Sequence, residues 1–275
     1  MDKTQHATQA LTSFLQAHPR LVVLTGAGIS ASSGIPTYRD RDGVWQHREP
    51  INHQEFIRDE STRQRYWARS LFGWPVIRDA HPGAGHRALA SLERDGHISL
   101  LITQNVDRLH QQAGSNNVID LHGRLDKVRC LACQETFSRD VIQTQLARDN
   151  QQLEKPVVEP RPDGDADLPD DFILQLHPPA CKACGGVLQP DVVFFGDTVP
   201  KGRVQACMEA IESADALLAI GSSLQVYSGF RFCKRAAVLG KPLAIINPGT
   251  TRADPMAQLK LLHDCEPLLH NVASL

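Results

Sequence analysis

The sequence lacks any run of about 18 apolar residues, so it offers no segment able to span a membrane. It also lacks an excess of charge: 29 Lys and Arg stand against 31 Asp and Glu, for a net charge of −2. So balanced a chain has no broad basic field for nucleic acid or an anionic membrane surface, and neither is expected as a partner. Selection must come from a shaped site. The N-terminal residues Met1 to His6 lack a basic stretch leading into an apolar one, and little chain precedes the first motif, so no targeting segment is expected. A cytoplasmic location follows as the expectation. The cysteines number seven, an odd count that argues against a disulfide framework. No internal repeat is visible.

What is present suits a large domain carrying a smaller one: 275 residues, 41% hydrophobic and 22% charged. Ala7, Ala10, Leu11 and Phe14 fall at helical spacing and the pattern stops before Pro19. Leu21-Val22-Val23-Leu24 is apolar at every position, as a buried parallel strand is. Similar runs recur at 98–102, 216–220 and 243–246, with helical patterns around 83–94, 201–212 and 229–239. The fold class expected is α/β: a doubly wound, Rossmann-like parallel sheet covered on both faces. Two segments break the rhythm. Residues 41–80 read as a helical insertion, and 126–189 hold paired cysteines around a middle rich in Asp, Gln and Pro at 154–171. That middle has little apolar surface and is expected to be a loop or mobile excursion. The expected division is 1–40, 81–125 and 190–275 for the large domain, with 41–80 and 126–189 forming the small lobe.

Cys130-x-x-Cys133 and Cys181-x-x-Cys184 lie 47 residues apart. Two residues between cysteines let a tight turn aim both sulfurs at one point, and two such turns complete a tetrahedral thiolate site. Four protein ligands leave no open position, so the zinc expected here is structural. Cys207 and Cys233 sit in helical patterns and read as small buried apolar residues.

Gly26-Ala27-Gly28 directly follows a buried strand, where backbone amides can approach a phosphate. The third glycine of a dehydrogenase fingerprint is missing, since position 31 is Ala31. Thr103-Gln104-Asn105-Val106-Asp107, Gly221-Ser222-Ser223 and Asn247-Pro248-Gly249 each follow another apolar run. Four strand ends carrying small or hydrogen-bonding residues converge on one ligand crevice in a doubly wound sheet. Leu121-His122-Gly123 adds a histidine that reads either as a turn residue or as a general base.

Taken together, Gly26 to Ser30, Gly34-Ile35-Pro36-Thr37-Tyr38-Arg39, Gln104 to Asp107, Leu121-His122-Gly123, the cysteine pairs, Phe195-Gly196-Asp197, Gly221-Ser222-Ser223 and Asn247-Pro248-Gly249 resemble the sirtuins, NAD-dependent protein-lysine deacylases. The motifs occur in family order over nearly the whole chain. Arg65-Tyr66-Trp67-Ala68-Arg69 and Gln189 to Asp197 are similar to the class II branch. Thr37 stands where many relatives have Asp, Tyr38 where many have Phe, and Ser222 where Thr is common.

The resemblance implies NAD as co-substrate, a structural zinc ion, and acylated lysine side chains of proteins as partners. The acyl-lysine oxygen attacks the nicotinamide ribose, nicotinamide leaves, and the resulting alkylimidate collapses to free lysine and O-acyl-ADP-ribose. His122 is implied as general base, with Asn105 and Asp107 orienting the nicotinamide and its ribose. Gly26, Ala27, Gly28, Ser30, Ile35, Pro36, Trp45, Gln104, Val106, Gly221, Ser222, Ser223, Asn247, Pro248, Gly249 and Cys265 are implied around the cofactor, beneath a loop carrying Tyr38 and Arg39. Val193, Phe194, Phe195 and Gly196 are expected to receive the substrate as an added strand, although the run alone reads as a plain buried strand. Tyr66 and Arg69 share a helix face. In the desuccinylating branch such a pair holds an acidic acyl group, whereas the residues alone allow an exposed helix with a solvated Arg. The rival readings are an ADP-ribosyltransferase using the same site and a non-catalytic NAD-sensing module.

Overall fold

A computed structural model of the chain describes residues 3–40, 44, 50–153, 160–161, 164–166 and 168–273. Helix α1 (Lys3–Ala17) leads into strand β1 (Leu21–Thr25). Helices α2 (His53–Arg58), α3 (Glu60–Asp79) and α4 (Ala84–Arg94) precede β2 (Ile98–Thr103), α5 (Leu109–Gln112) and β3 (Val118–Asp120). Next come β4 (Gly123–Cys130), β5 (Thr136–Ser138), α6 (Arg139–Asp149), β6 (Pro160–Arg161), β7 (Asp165–Ala166), α7 (Asp170–Gln175) and β8 (Leu188–Val192). After these follow α8 (Lys201–Ser213), β9 (Ala216–Ile220), α9 (Tyr227–Val238), β10 (Leu243–Ile246), β11 (Leu259–Leu261) and α10 (Cys265–Ala273).

Six strands form a parallel sheet in the order β11–β10–β9–β1–β2–β3. The chain winds outward from β1 through β2 and β3, then returns to the other side of β1 through β9, β10 and β11. The reversal between β1 and β9 opens a crevice at the carboxyl ends of the strands. Side chains alternate along β1: Leu21 and Val23 join Leu11, Leu89 and Leu268 on one face, while Val22 and Leu24 join Ile211, Leu217 and Phe232 on the other. Both faces are covered, which is why the run is apolar throughout. The three-residue edge strands β3 and β11 were not among the expected runs; Leu259-Lys260-Leu261 is too short and mixed to register as one.

The small lobe is a three-stranded antiparallel sheet, β5–β4–β8, with helices against it. Its core gathers Trp67 and Ala68 of α3 with Val128, Ile142, Leu146, Leu176 and Leu188. The cysteine segment supplies most of this core, and the helical insertion closes it with Trp67 and Ala68. The expectation of a loose excursion at 154–171 is corrected in its described part, where β6 pairs with β7 and Ala166 is fully buried. A side chain at Gly73 would collide with the Gly164 backbone, so this hairpin lies directly on α3. Residues 154–159 lie outside the described residues, as does Trp45. The expected division after 125 and before 190 falls within β4 and β8, whose pairing shifts register between Arg124 and Val128.

Pro75 sits inside α3 and has no N–H to offer the carbonyl of Leu71 one turn earlier. The Gln143 side chain of α6 donates to that carbonyl at 2.7 Å, turning a helix defect into a joint. Among the described residues, no helix is long and apolar enough to cross a membrane.

Candidate active site

His122 lies in the link from β3 to β4, beside the crevice. Its Nδ1 stands 3.0 Å from the Gln104 carbonyl, an acceptor, which assigns the ring proton to Nδ1 and leaves the lone pair on Nε2. The Ser228 hydroxyl donates to Nε2 at 2.7 Å. Burial, opposed by the Gln104 bond and aided by the cations Arg203 and Arg231, brings the imidazole down to about 4. At neutral pH the ring is an uncharged base.

Behind it, the end of β2 feeds a connected set of polar groups. Asn105 donates through Nδ2 to the Gly26 carbonyl at 3.2 Å and to the Ser30 hydroxyl at 3.0 Å. Ser30 in turn donates to Asp107 at 2.7 Å, and Asp107 also accepts from the Leu109 amide at 2.9 Å. Burial raises the Asp107 carboxyl, and these donors partly offset the shift. His86 reaches Ser30 at 3.3 Å, and His110 reaches Thr25 at 2.9 Å. Both histidines are fully buried, with burial lowering His86 to about 4 and His110 well below its ordinary value. Sequence reading missed both, because a single histidine within a helical pattern carries no distinguishing signal.

The loops after β1 and β9 interlock. A Cβ on Gly28 would fall 2.8 Å from the Cα of Gly221, and one on Gly26 would fall 2.7 Å from the Cβ of Ser222. Gly221 has φ +61°, a conformation that side chains other than glycine's adopt at a cost. The glycines thus let two strand ends meet in direct backbone contact at the crevice, where the Gly26, Gly28 and Gly221 amides donate to the carbonyls of Ile220, Gly221 and Ile246 at 3.0, 2.8 and 2.9 Å. Ser222 accepts from Gln104 at 2.8 Å, joining the third strand end. One cavity of about 1050 Å³ is lined by Gly26 to Gly28, Ser30, Ile35 to Arg39, Gln104 to Asp107, His122, Gly221 to Ser223, Asn247 to Gly249 and Cys265.

The Sir2 family pattern matches residues 26–228 of this sequence, which include most of the cavity lining, with Asn247 to Gly249 and Cys265 lying beyond the match. The chain belongs to the Sir2 family. It is 53% identical over 260 residues to an NAD-dependent protein deacetylase of Xanthomonas campestris pv. campestris, covering 94% of this chain and 89% of the relative. An NAD-dependent protein deacetylase of Bordetella bronchiseptica is 50% identical over 274 residues, covering 100% of both. A solved Sir2 complex with a p53 peptide and NAD+ matches with a TM-score of 0.78 at 28% identity, covering 97% of each chain.

In this Sir2 protein the other residues singled out from sequence divide by position. Val193, Phe195 and Gly196 line the cavity just beyond β8, which ends at Val192, so the expected strand stops short of them. Phe194 lines it too, but its ring packs with Phe56 at 4.8 Å and Tyr66 at 5.5 Å. Tyr38 meets Phe195 edge-on at 6.3 Å. Tyr66 and Arg69 both line the cavity from α3. Arg69 is not solvated: its guanidinium pairs with Asp165 at 2.6 Å and its Nε donates to the Ala166 carbonyl at 3.0 Å. The Asn247 side chain donates to the Gly249 carbonyl at 2.9 Å, shaping the turn after β10. Cys265 opens α10 and is buried, its thiol pushed up to about 12 by burial, so its side chain is inert there.

The four paired cysteines form a separate centre. Their sulfurs lie within 4.8 Å of one another, with Cys130 and Cys184 3.5 Å apart and Cys133 and Cys181 3.8 Å apart. A disulfide requires about 2.05 Å, whereas a zinc ion with four bonds of about 2.3 Å sets sulfurs about 3.8 Å apart at the corners of a tetrahedron. The cluster fits structural zinc. Cys207 and Cys233 are fully buried, as read from the sequence.

Proposed function

We propose that this chain is an NAD-dependent protein-lysine deacylase whose general base is His122. The carrying observation is that ring's setting: neutral, its tautomer fixed by the Gln104 carbonyl, and beside the loops at 26–39, 104–107 and 221–223. NAD, once bound, would supply a ribose carbon that bonds to the acyl-lysine oxygen as nicotinamide leaves, and a ribose hydroxyl that takes the acyl group, water completing the release of free lysine and O-acyl-ADP-ribose. The loops at 26–28 and 221–223, held close together by their glycines, would cradle the pyrophosphate, and Asn105 and Asp107 would orient the nicotinamide end. His122 accepts the proton of a ribose hydroxyl at Nε2, a task suited to an imidazole uncharged at working pH. Val193 to Gly196 receive the peptide main chain, and Tyr38 with Arg39 closes the cavity against water.

Arg69 is read as a wall residue whose charge is already answered by Asp165. An acidic acyl group would have to displace that carboxylate, so neutral acyl groups are the preferred substrates. The four clustered thiols, which bind zinc as thiolates, suit a reducing compartment, and a cytoplasmic location is proposed on that ground. Incubation with NAD and a panel of acyl-lysine peptides tests the reading. Nicotinamide and O-acyl-ADP-ribose are expected together with free lysine. Stable ADP-ribosylated protein in their place would overturn it in favour of transfer.

A further inference from the structure

We propose that Ser228 is a positioning residue for His122, holding the base's proton-accepting nitrogen on target before substrate arrives. The inference rests on the deacylase reading above. An imidazole has two polar atoms, and a hydrogen bond at one leaves the ring free to swing about it. Here both are held: the Gln104 carbonyl takes Nδ1 at 3.0 Å and the Ser228 hydroxyl reaches Nε2 at 2.7 Å. The ring is thereby fixed in rotation as well as tautomer.

One helix end organises both contacts. Ser228 is the second residue of α9, and Gly229 follows it against the Gln104 side chain. A Cβ on Gly229 would fall 2.5 Å from the Oε1 of Gln104 and 2.8 Å from its Cδ. The N-terminal turn of α9 therefore backs the residue whose carbonyl holds Nδ1 while presenting the hydroxyl that holds Nε2. Its positive end also disfavours charge on the imidazole, keeping the lone pair available.

The chemistry of the contact matches the reaction. Ser228 places a hydroxyl donor at hydrogen-bond distance from the atom that must take a proton from a ribose hydroxyl. An incoming ribose hydroxyl replaces one O–H donor with another, so the ring needs no reorientation when substrate binds. Ser228 makes and breaks no covalent bond. Its contribution is geometric, of the kind in which small misplacements of a catalytic group slow a reaction.

The test uses full-length protein with Ser228→Ala and Ser228→Thr. In unliganded protein labelled with 15N-histidine, the Nε2 signal of His122 should move in Ser228→Ala toward that of a lone pair without a donor, and return in Ser228→Thr. With NAD and acyl peptide, exchange of labelled nicotinamide into NAD should be preserved while O-acyl-ADP-ribose formation falls roughly tenfold, less than the ~10²–10⁴-fold expected for loss of the base. Ser228→Thr should restore it. An unmoved 15N signal, or equal loss of exchange and acyl transfer, would overturn the proposal, the latter by marking general damage to the cavity. If wild-type protein releases no nicotinamide at all, the deacylase reading fails while the 15N result still decides the contact.

Discussion

The amide of Val193 donates to the carbonyl of His122 at 2.8 Å, so the base and the segment proposed to receive the peptide share a main-chain hydrogen bond. Two residues on, the Phe195 carbonyl accepts from the His53 amide at 2.9 Å, tying the same segment to the start of α2. The proposed peptide-binding segment thus runs from the base at the large sheet's ligand edge to the first turn of α2. Displacing either part moves the base relative to its substrate, which makes the site sensitive to how the two parts sit together.

His122→Ala should lower kcat/KM for deacylation by about 10²–10⁴-fold while NAD binding persists. Burial lowers His122 to about 4, and a base is lost only when protonated. The acid limb of the kcat/KM profile should therefore lie well below pH 6.5. A limb at 6.5 or above, measured on wild-type protein, would contradict the buried neutral ring.

Stability should fall as solutions are made acidic, and His86 is one cause. Its folded value is about 4 against an ordinary 6.5, so between these pH values the unfolded chain binds the proton more readily. The stability this group contributes is complete above pH 6.5 and is lost as pH falls towards 4, at a cost of roughly 3 kcal/mol. His110 shifts in the same direction. Urea midpoints at pH 7, 6 and 5 should decline in that order, and an His86→Gln variant should decline less steeply.

Purified protein should contain one zinc ion per chain by elemental analysis, and chelation should lower the thermal midpoint. Structural zinc contributes roughly 10–16 kcal/mol of apparent folding energy in small modules. Cys181→Ser should lose the metal and destabilise the small lobe. A full complement of four titratable thiols in metal-free protein of unchanged stability would count against a metal staple.

Asp165→Asn should raise turnover of succinyl-lysine peptides relative to acetyl-lysine peptides. The substitution removes the carboxylate beside Arg69 and leaves a neutral amide of similar size. Arg69→Ala in the same background should abolish the gain. If Asp165→Asn leaves the ratio unchanged, Arg69 does not face the acyl group.

The legible parts of this protein were those written in consecutive residues. The central strands are apolar at each position because both faces of the sheet are covered, and each ends in small or polar residues at the crevice. The cysteine pairs declare a metal through their spacing alone. What escaped were contacts between distant residues of ordinary type. Ser228 reaches His122 across 106 positions, and Asp165 reaches Arg69 only because a short hairpin lies against α3.

Local composition thus set the strand ends, the glycine turns and the thiolate quartet, since each depends on backbone conformation or ligand geometry within a few residues. Folding alone determined which nitrogen of His122 carries the lone pair, how strongly burial suppresses its charge, and whether the Arg69 cation is already paired. Those properties belong to the neighbours a group acquires and the water it loses, and both are assigned only when the strand order closes the crevice.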